Sequence, residues 1–306
     1  MSEKLYVLTV VSNPQQYKSR YRLYREFAEY MKSFSNVEFY TVELAFAGRK
    51  HEVTQENNPY HIQVRGNQEF WHKENLINIG ISKLPLEAKK IAWIDADVKF
   101  LNPNWVQDTL DSLDHYKFTQ MFSEYIDLGP QSNVIGRATS FMYTYKNGNE
   151  RILSEYGSGL KGATGLAWAA RREAIEAIGG IPDFNIVGAG DWFLTYSLVG
   201  LGENIIQSDL TDGYKMLLSK LDKNCKDYIQ GNVGYVDGLM VHYFHGKKSK
   251  RGYGWREQIL RKHRFDPIFD LNRDAQGLYI VNPQKQGMLN ELIDYFRSRD
   301  EDSTEV

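Results

Sequence analysis

The first hundred residues alternate short apolar runs with segments whose apolar residues recur every three or four positions. Leu5 to Val11 is a nearly continuous apolar run ended by the turn cluster Ser12-Asn13-Pro14, which predicts a buried strand. From Tyr17 to Phe34, the residues Tyr21, Tyr24, Phe27, Ala28 and Met31 fall at helical spacing. Val37 to Phe46 reads as a second strand ahead of the turn Gly48-Arg49-Lys50. Glu69 to Leu84 predicts a second helix, with Leu76, Ile77, Ile79, Gly80 and Leu84 on its inner side. Ile91-Ala92-Trp93-Ile94 is a short apolar strand that stops at Asp95. Strand, helix, strand, helix, strand is the order of βαβ units. The expected fold class is therefore α/β: a mixed, mostly parallel sheet flanked by helices in a single large domain. Ligands of such sheets bind beyond the carboxyl ends of the strands, and Asp95 stands at one.

The middle of the chain is less regular. Trp105 to Leu113 reads as helix and Lys117 to Phe122 as strand, followed by a loop-rich stretch from Gly129 to Asn149 in which Ser140 to Tyr145 reads as strand. Gly165 to Ala169 leads into a helix at Arg171 to Ile178, stopped by Gly179-Gly180-Ile181-Pro182. Asp191 opens another helix through Leu198, closed by Gly200. Val236 to Phe244 is expected as the last strand, with a basic segment from Lys247 to Arg264 after it. Met288 to Arg297 reads as an amphipathic closing helix, and the polar, acidic Asp300 to Val306 as disordered. No repeat or long linker divides the chain.

Composition narrows the classes. A length of 306 residues with 42% hydrophobic residues suits one large unit with a sizeable core. The net charge of −2 offers none of the basic excess that bulk nucleic-acid binding needs. An aromatic share of 13%, including 20 tyrosines, suits sugar-stacking surfaces as well as an aromatic core. The single Cys225 excludes an internal disulfide and fits a reducing compartment. The N-terminal apolar run lacks the length of a signal-peptide core, and no stretch approaches the roughly 18 apolar residues of a membrane span. The expected location is cytoplasmic, with any membrane-borne acceptor reached peripherally.

Chemistry concentrates at Asp95-Ala96-Asp97. Two carboxylates one residue apart at the end of a rigid strand offer oxygen ligands for Mg²⁺ or Mn²⁺. Such a cation neutralises the charge that develops when a nucleoside diphosphate leaves a sugar. The triplet read by itself equally suits an Asp pair capping the following turn. In Gly188-Ala189-Gly190-Asp191-Trp192, glycines permit close approach of backbone to a sugar, Trp192 offers a stacking face, and Asp191 is placed either as a general base or as a helix N-cap. Asp183 is the alternative base. His242 and His245 lie three apart, so a continuous strand would point them to opposite faces, whereas a strand ending near Gly246 would not.

In order and spacing these blocks resemble a GT-A glycosyltransferase, of the inverting β-1,4-galactosyltransferase type and related bacterial and viral sugar transferases. The blocks are Phe70-Trp71-His72-Lys73-Glu74-Asn75-Leu76-Ile77-Asn78-Ile79-Gly80, Asp95-Ala96-Asp97, Gly188 to Trp192, and Met240-Val241-His242-Tyr243-Phe244-His245-Gly246. The resemblance implies a Rossmann-like GT-A sheet and an Mn²⁺- or Mg²⁺-dependent hexosyl- or pentosyltransferase acting on a nucleotide-sugar donor, a UDP-sugar above all. It implies metal ligation by Asp97 and by His245 or His242, with Asp95 steadying metal and ribose. It implies Asp191 as the base, and nucleotide-sugar contacts from Ser12, Asn13, Trp71, Lys73, Asp95 and Gly165. Lys161-Gly162-Ala163-Thr164-Gly165 matches the small-residue stretch beside the donor sugar, and a turn leading into a helix explains it equally. The family often carries an Arg after the first strand, where this chain has Asn13-Pro14 and only later Arg20 or Arg22.

Trp192 and Tyr253 are expected on the acceptor side. The basic, aromatic tract Lys247 to Arg256 reads as a segment closing over the donor, as a solvated loop, or as a contact for a polyanion. The acceptor stays open among a glycan, a lipid-linked sugar, a protein hydroxyl and a modified DNA base. The expected organisation is a nucleotide-sugar half at 1–100, an acceptor half at 101–265 and a C-terminal extension at 266–306. Two other classes use similar residues: a metal-dependent phosphohydrolase or nucleotidyltransferase, and a non-catalytic glycan-binding protein.

Overall fold

The computed structural model describes residues 3–147 and 162–305. Seven strands form the main sheet: β1 (Leu5–Ser12), β2 (Val37–Phe46), β3 (His61–Gly66), β4 (Lys90–Ile94), β6 (Phe118–Gln120), β9 (Ala167–Arg171) and β10 (Val233–Tyr235). Their spatial order is β10-β6-β9-β4-β1-β2-β3. Every pairing is parallel except those of β9, which runs antiparallel to β4 and β6. A second sheet of β5 (Val98–Phe100), β7 (Glu124–Leu128), β8 (Val134–Thr139) and β11 (Leu239–His242) has the order β5-β11-β7-β8. The mixed, mostly parallel sheet flanked by helices is as the sequence predicts.

Alternation along β1 sends its side chains to two cores. Leu5 and Val7 pack with Phe27 and Met31 of α1 (Lys18–Lys32) and with Trp105, Val106 and Leu110 of α3 (Trp105–His115). Leu8 packs with Leu76, Ile77 and Ile79 of α2 (Lys73–Lys83) on the other face. Gly80 permits that approach, since a Cβ there would lie 2.8 Å from Val42 and 2.9 Å from Leu8. The carboxyl ends of β1 and β4 thus share one edge with the N-terminus of α2, and the site lies there.

Several local expectations are corrected. Residues Phe141–Lys146 are helix, not strand, because Ser140 Oγ accepts the Tyr143 N–H at 3.1 Å and caps the turn. Ala167–Arg171 is strand β9, which runs straight into the expected helix, Arg172–Ile178. Within Val236 to Phe244 only Leu239–His242 is strand (β11), and it is not the last one, because a further hairpin, Leu271–Arg273 with Tyr279–Val281, follows. The acidic tail is ordered through residue 305. Asp302 accepts the Lys18 and Ser19 N–H groups at 2.9 and 2.8 Å, capping α1, and Glu301 is only 4% exposed. No helix among the described residues is long and apolar enough to cross a membrane.

Candidate active site

Asp95-Ala96-Asp97 is the link by which the chain leaves the main sheet at Ile94 and starts the second at Val98. Both ends of the link are pinned. The Asp95 N–H donates to Leu166 O and the Tyr243 N–H to Asp97 O, each at 2.8 Å. Strand register then delivers the histidines. His242 pairs with Val98 across the β11–β5 ladder and with Asp127 across β11–β7. Strand β11 ends at His242, and the turn that follows brings His245 back to the same place. Asp97, His242 and His245 present ligand atoms within 4.8 Å of one another, the one such group of three among the described residues.

Each histidine has one nitrogen toward Asp97 and a carboxylate behind the other. His242 Nδ1 pairs with Asp127 Oδ1 at 2.7 Å, which leaves Nε2 facing Asp97 Oδ1 at 3.9 Å. His245 Nε2 lies 2.9 Å from Asp97 Oδ2, with Glu301 Oε2 3.5 Å behind Nδ1. Gly246, at φ +85°, admits the tail, because a Cβ there would come 2.9 Å from Glu301 Cα. Burial lowers the His242 pKa despite its carboxylate partners, favouring the neutral, ligating form. Burial opposes ionisation of Asp97, yet His245, His242 and Arg20 outweigh it and hold the carboxyl well below the usual range.

A divalent cation fits this arrangement. Asp97 Oδ1 is buried without a hydrogen-bond partner. His245 Nε2 lies 2.9 Å from both Arg251 Nη2 and Asp97 Oδ2, so one ring nitrogen faces a donor and a carboxylate and can satisfy only one of them. A cation between that nitrogen and Asp97 relieves the conflict. One carboxylate with two imidazoles also departs from the all-oxygen set that suits Mg²⁺.

The cluster forms part of the wall of a cavity of about 660 Å³, a size suited to a nucleotide-sized ligand. Ser12, Asn13, Trp71, Lys73, Asp95, Gly165, Asp191, Trp192 and Tyr253 all line it, so the residues singled out in sequence converge. Their contacts differ. Lys73 is ion-paired to Asp95. The Asn13 amide closes the turn before α1, donating to Tyr17 O at 2.8 Å while its oxygen accepts Tyr17 N–H at 3.0 Å. Burial raises the Asp95 pKa, Asp97 and Asp191 add to the rise, and Lys73 opposes it.

Asp191 is not the N-cap of its helix. Ala189 holds that position at φ +75°, and Asp191 stands in the first turn with Oδ1 accepting the Trp192 N–H at 2.9 Å. Gly165 makes room for it, because a Cβ there would meet Asp191 Oδ2 at 2.4 Å. Asp183, the alternative base, lies outside the lining. Asn78, Arg273 and Tyr279 donate to it at 2.9, 2.7 and 3.0 Å and hold it against the C-terminal hairpin. Arg22 pairs with Glu26 on the surface, whereas Arg20 enters the cavity and pairs with Glu301. Lys161 falls outside the described residues.

Sequence reading missed Glu74, Glu301 and Arg256. Glu74 accepts the Trp71 indole N–H at 2.6 Å at the start of α2. Burial pushes its pKa up to about 7, with Lys73 opposing and Asp191 adding to the rise. Glu301 pairs with both Arg20 and Arg299, which hold its carboxyl far down despite burial.

No family model matches the sequence, and no curated protein matches it. Solved structures do. The chain is similar to a mutant Drosophila β1,4-galactosyltransferase 7 in complex with manganese, UDP-Gal and xylobiose, at 11% identity over 94% of this chain and 98% of that one, with a TM-score of 0.37. It is similar to residues 1–349 of S. aureus TarS in complex with UDP-GlcNAc, at 11% identity over 97% and 81% of the two chains, TM-score 0.44. It is also similar to a 4-diphosphocytidyl-2C-methyl-D-erythritol synthase, at 12% identity over 96% and 100%, TM-score 0.33. At these identities and scores the likeness assigns no activity to this chain.

Proposed function

We propose that this chain is a divalent-cation-dependent glycosyltransferase that moves a sugar from a nucleoside diphosphate donor to a hydroxyl acceptor with inversion. The observation that carries the reading is the convergence of Asp97, His242 and His245 in one cavity with Asp95 and Asp191, residues far apart in sequence. Asp97 and the two imidazoles hold the cation, and the mixed nitrogen and oxygen set favours Mn²⁺ over Mg²⁺. When bound, the cation neutralises the charge developing on the departing diphosphate. Lys73 holds Asp95 in place beside the cluster, and Trp71 and Ser12 bound the nucleotide end, where uridine is the expected base. Gly165 lines the donor sugar. Asp191 takes the proton from the acceptor hydroxyl, with Trp192 and Tyr253 as stacking faces for the acceptor. Residues 1–100 then supply the donor half, 101–265 the acceptor half, and 266–306 an extension whose tail supports the cation site.

A panel of nucleotide sugars incubated with the protein and Mn²⁺, with and without EDTA, tests this. Slow release of UDP or GDP that EDTA stops is the expected result, and Asp97→Asn brings it to background. Monophosphate release instead identifies a phosphohydrolase or nucleotidyltransferase. Tight binding of a nucleotide sugar without turnover, given acceptor candidates, identifies a binding protein.

A further inference from the structure

Cationic side chains around the cavity are almost all neutralised by the protein. Arg20 and Arg299 share Glu301, Lys73 holds Asp95, and Lys248 meets Asp127 Oδ2 at 2.5 Å. Arg261 lies 3.2 Å from Asp209 and 3.3 Å from Glu257. Arg251 lacks a carboxylate partner too but reaches His245 Nε2 at 2.9 Å and the Tyr253 hydroxyl at 3.4 Å; the barest cation is Arg256. It is 7% exposed and lines the cavity, yet among the described residues its guanidinium has neither a carboxylate within ion-pair distance nor a hydrogen-bond acceptor. Its recorded side-chain contact is a cation–π one, 4.9 Å from the Tyr253 ring centroid. Buried charges are ordinarily paired, because leaving water uncompensated is costly. A guanidinium kept this way beside an open cavity is arranged for an anion that arrives with a ligand.

Its position says which part of the ligand. Arg256 lies flat against Gly188, where a Cβ would stand 3.1 Å from Nη2, and Gly188 has φ +95°, which a side chain rarely adopts. That glycine is three residues before Asp191, so the unpaired charge borders the segment carrying the proposed base. The Asp97 cluster is built on other strands.

We propose that Arg256 anchors an anion-binding subsite for the acceptor, so that the acceptor carries a phosphate or carboxylate group near the hydroxyl that is glycosylated. This rests on the glycosyltransferase reading in placing the acceptor beside Asp191. The subsite takes the anion by paired N–H donors of one planar guanidinium, which the Tyr253 ring packs against. A neutral acceptor would leave that guanidinium uncompensated when the cavity fills.

The experiment titrates the protein, saturated with Mn²⁺ and UDP, with glucose 6-phosphate, glucuronate and uncharged methyl glucoside, by calorimetry. The same titrations are run without UDP. Occupying the diphosphate site first separates the two anion sites. The charged probes bind about tenfold or more tighter than methyl glucoside, and their ratio tells phosphate from carboxylate. Arg256→Gln weakens the charged probes by roughly 10- to 100-fold, the range for a hydrogen bond to a charged group, and leaves UDP and Mn²⁺ affinity unchanged. Arg256→Lys folds with the charge kept and recovers part of the binding, which covers the case in which the glutamine variant does not fold. The proposal is overturned if charged and neutral probes bind alike, if UDP displaces the charged probes, or if Arg256→Gln weakens UDP itself, which would make Arg256 a donor residue. Preferential turnover of a uronic-acid donor lost in Arg256→Gln overturns it too. If the protein binds neither UDP nor Mn²⁺, the glycosyltransferase reading fails, and the charge preference measured without UDP decides the anion site separately.

Discussion

Two regions of the cavity wall are built on opposite plans. Around Asp97 the charged side chains are held in pairs by the protein, Asp127 behind His242, Glu301 behind His245, Arg20 and Arg299 on Glu301 and Lys73 on Asp95, while Asp97 Oδ1 and His245 Nδ1 keep no hydrogen bond. Around Asp191 the groups are sparsely held, with a Trp192 N–H and a Thr164 hydroxyl at 3.4 Å on the carboxylate and, among the described residues, the Tyr253 ring but no hydrogen-bond acceptor on Arg256. The first region rests on ladders of paired strands, and the second on a helix turn, glycines and short segments. A densely bonded region is fixed before any ligand arrives, which is what a multidentate cation site requires. A sparsely bonded region keeps its hydrogen-bonding capacity for the reacting molecule.

The contrast is open to attack from both sides. Asp191→Asn carries the largest effect: transfer falls roughly 10²- to 10⁴-fold, the usual contribution of a positioned base, while calorimetric Mn²⁺ and UDP affinities hold. Loss of Mn²⁺ binding in that variant would mean the two regions are one. Gly165→Ala comes next, since the new methyl displaces the Asp191 carboxylate from 2.4 Å. A misplacement of that order lowers turnover by roughly 10- to 100-fold with little change in Mn²⁺ affinity. On the densely bonded side, Glu301→Gln weakens Mn²⁺ by about tenfold through loss of support for His245, and a variant with unaltered Mn²⁺ affinity would show that His245 needs no such support.

Glu74 belongs to both regions, and its prediction concerns stability. Its pKa rises from 4.5 to about 7 on folding. The folded state therefore binds the extra proton, and stability declines as pH climbs between those values. Fully lost, this amounts to about 3 kcal/mol. Glu74→Gln keeps an acceptor for the Trp71 indole and removes the titration. In urea unfolding it matches the parent near pH 4 and gains up to that amount at pH 8; an equal gain at both pH values would refute the assignment.

How much of this could be read from the sequence depends on how local the determinant is. β1, α1, β2, β4 and α3 carry unmixed periodicity and were legible within a few residues. The strand His61–Gly66 was not, because its polar residues hide the alternation at a sheet edge. Phe141–Lys146 misleads by its aromatic and β-branched content, although Ser140 three residues before Tyr143 is a readable capping signal. β9 carries no strand signal, since Ala167-Trp168-Ala169-Ala170 is rich in helix-forming alanine and becomes strand by pairing on both sides. At the site, Asp95, Asp97, Asp191 and both histidines stand in recognisable blocks. Glu74 is hidden within one of them, as an ordinary helix carboxylate. Glu301 has no local signal at all: its chief partner, Arg20, is 281 residues away, and its neighbours have the composition of a solvated tail.

That last separation bears on how the molecule is made. During translation Arg20 leaves the ribosome early and Glu301 some 280 residues later. A nascent chain thus carries helix Lys18–Lys32 without its Asp302 cap and His245 without its carboxylate, whatever metal the surroundings offer. The cation pocket matures only once Glu301 has emerged and docked, so a product cut between residues 245 and 301 would hold the sheet intact and bind its ion poorly.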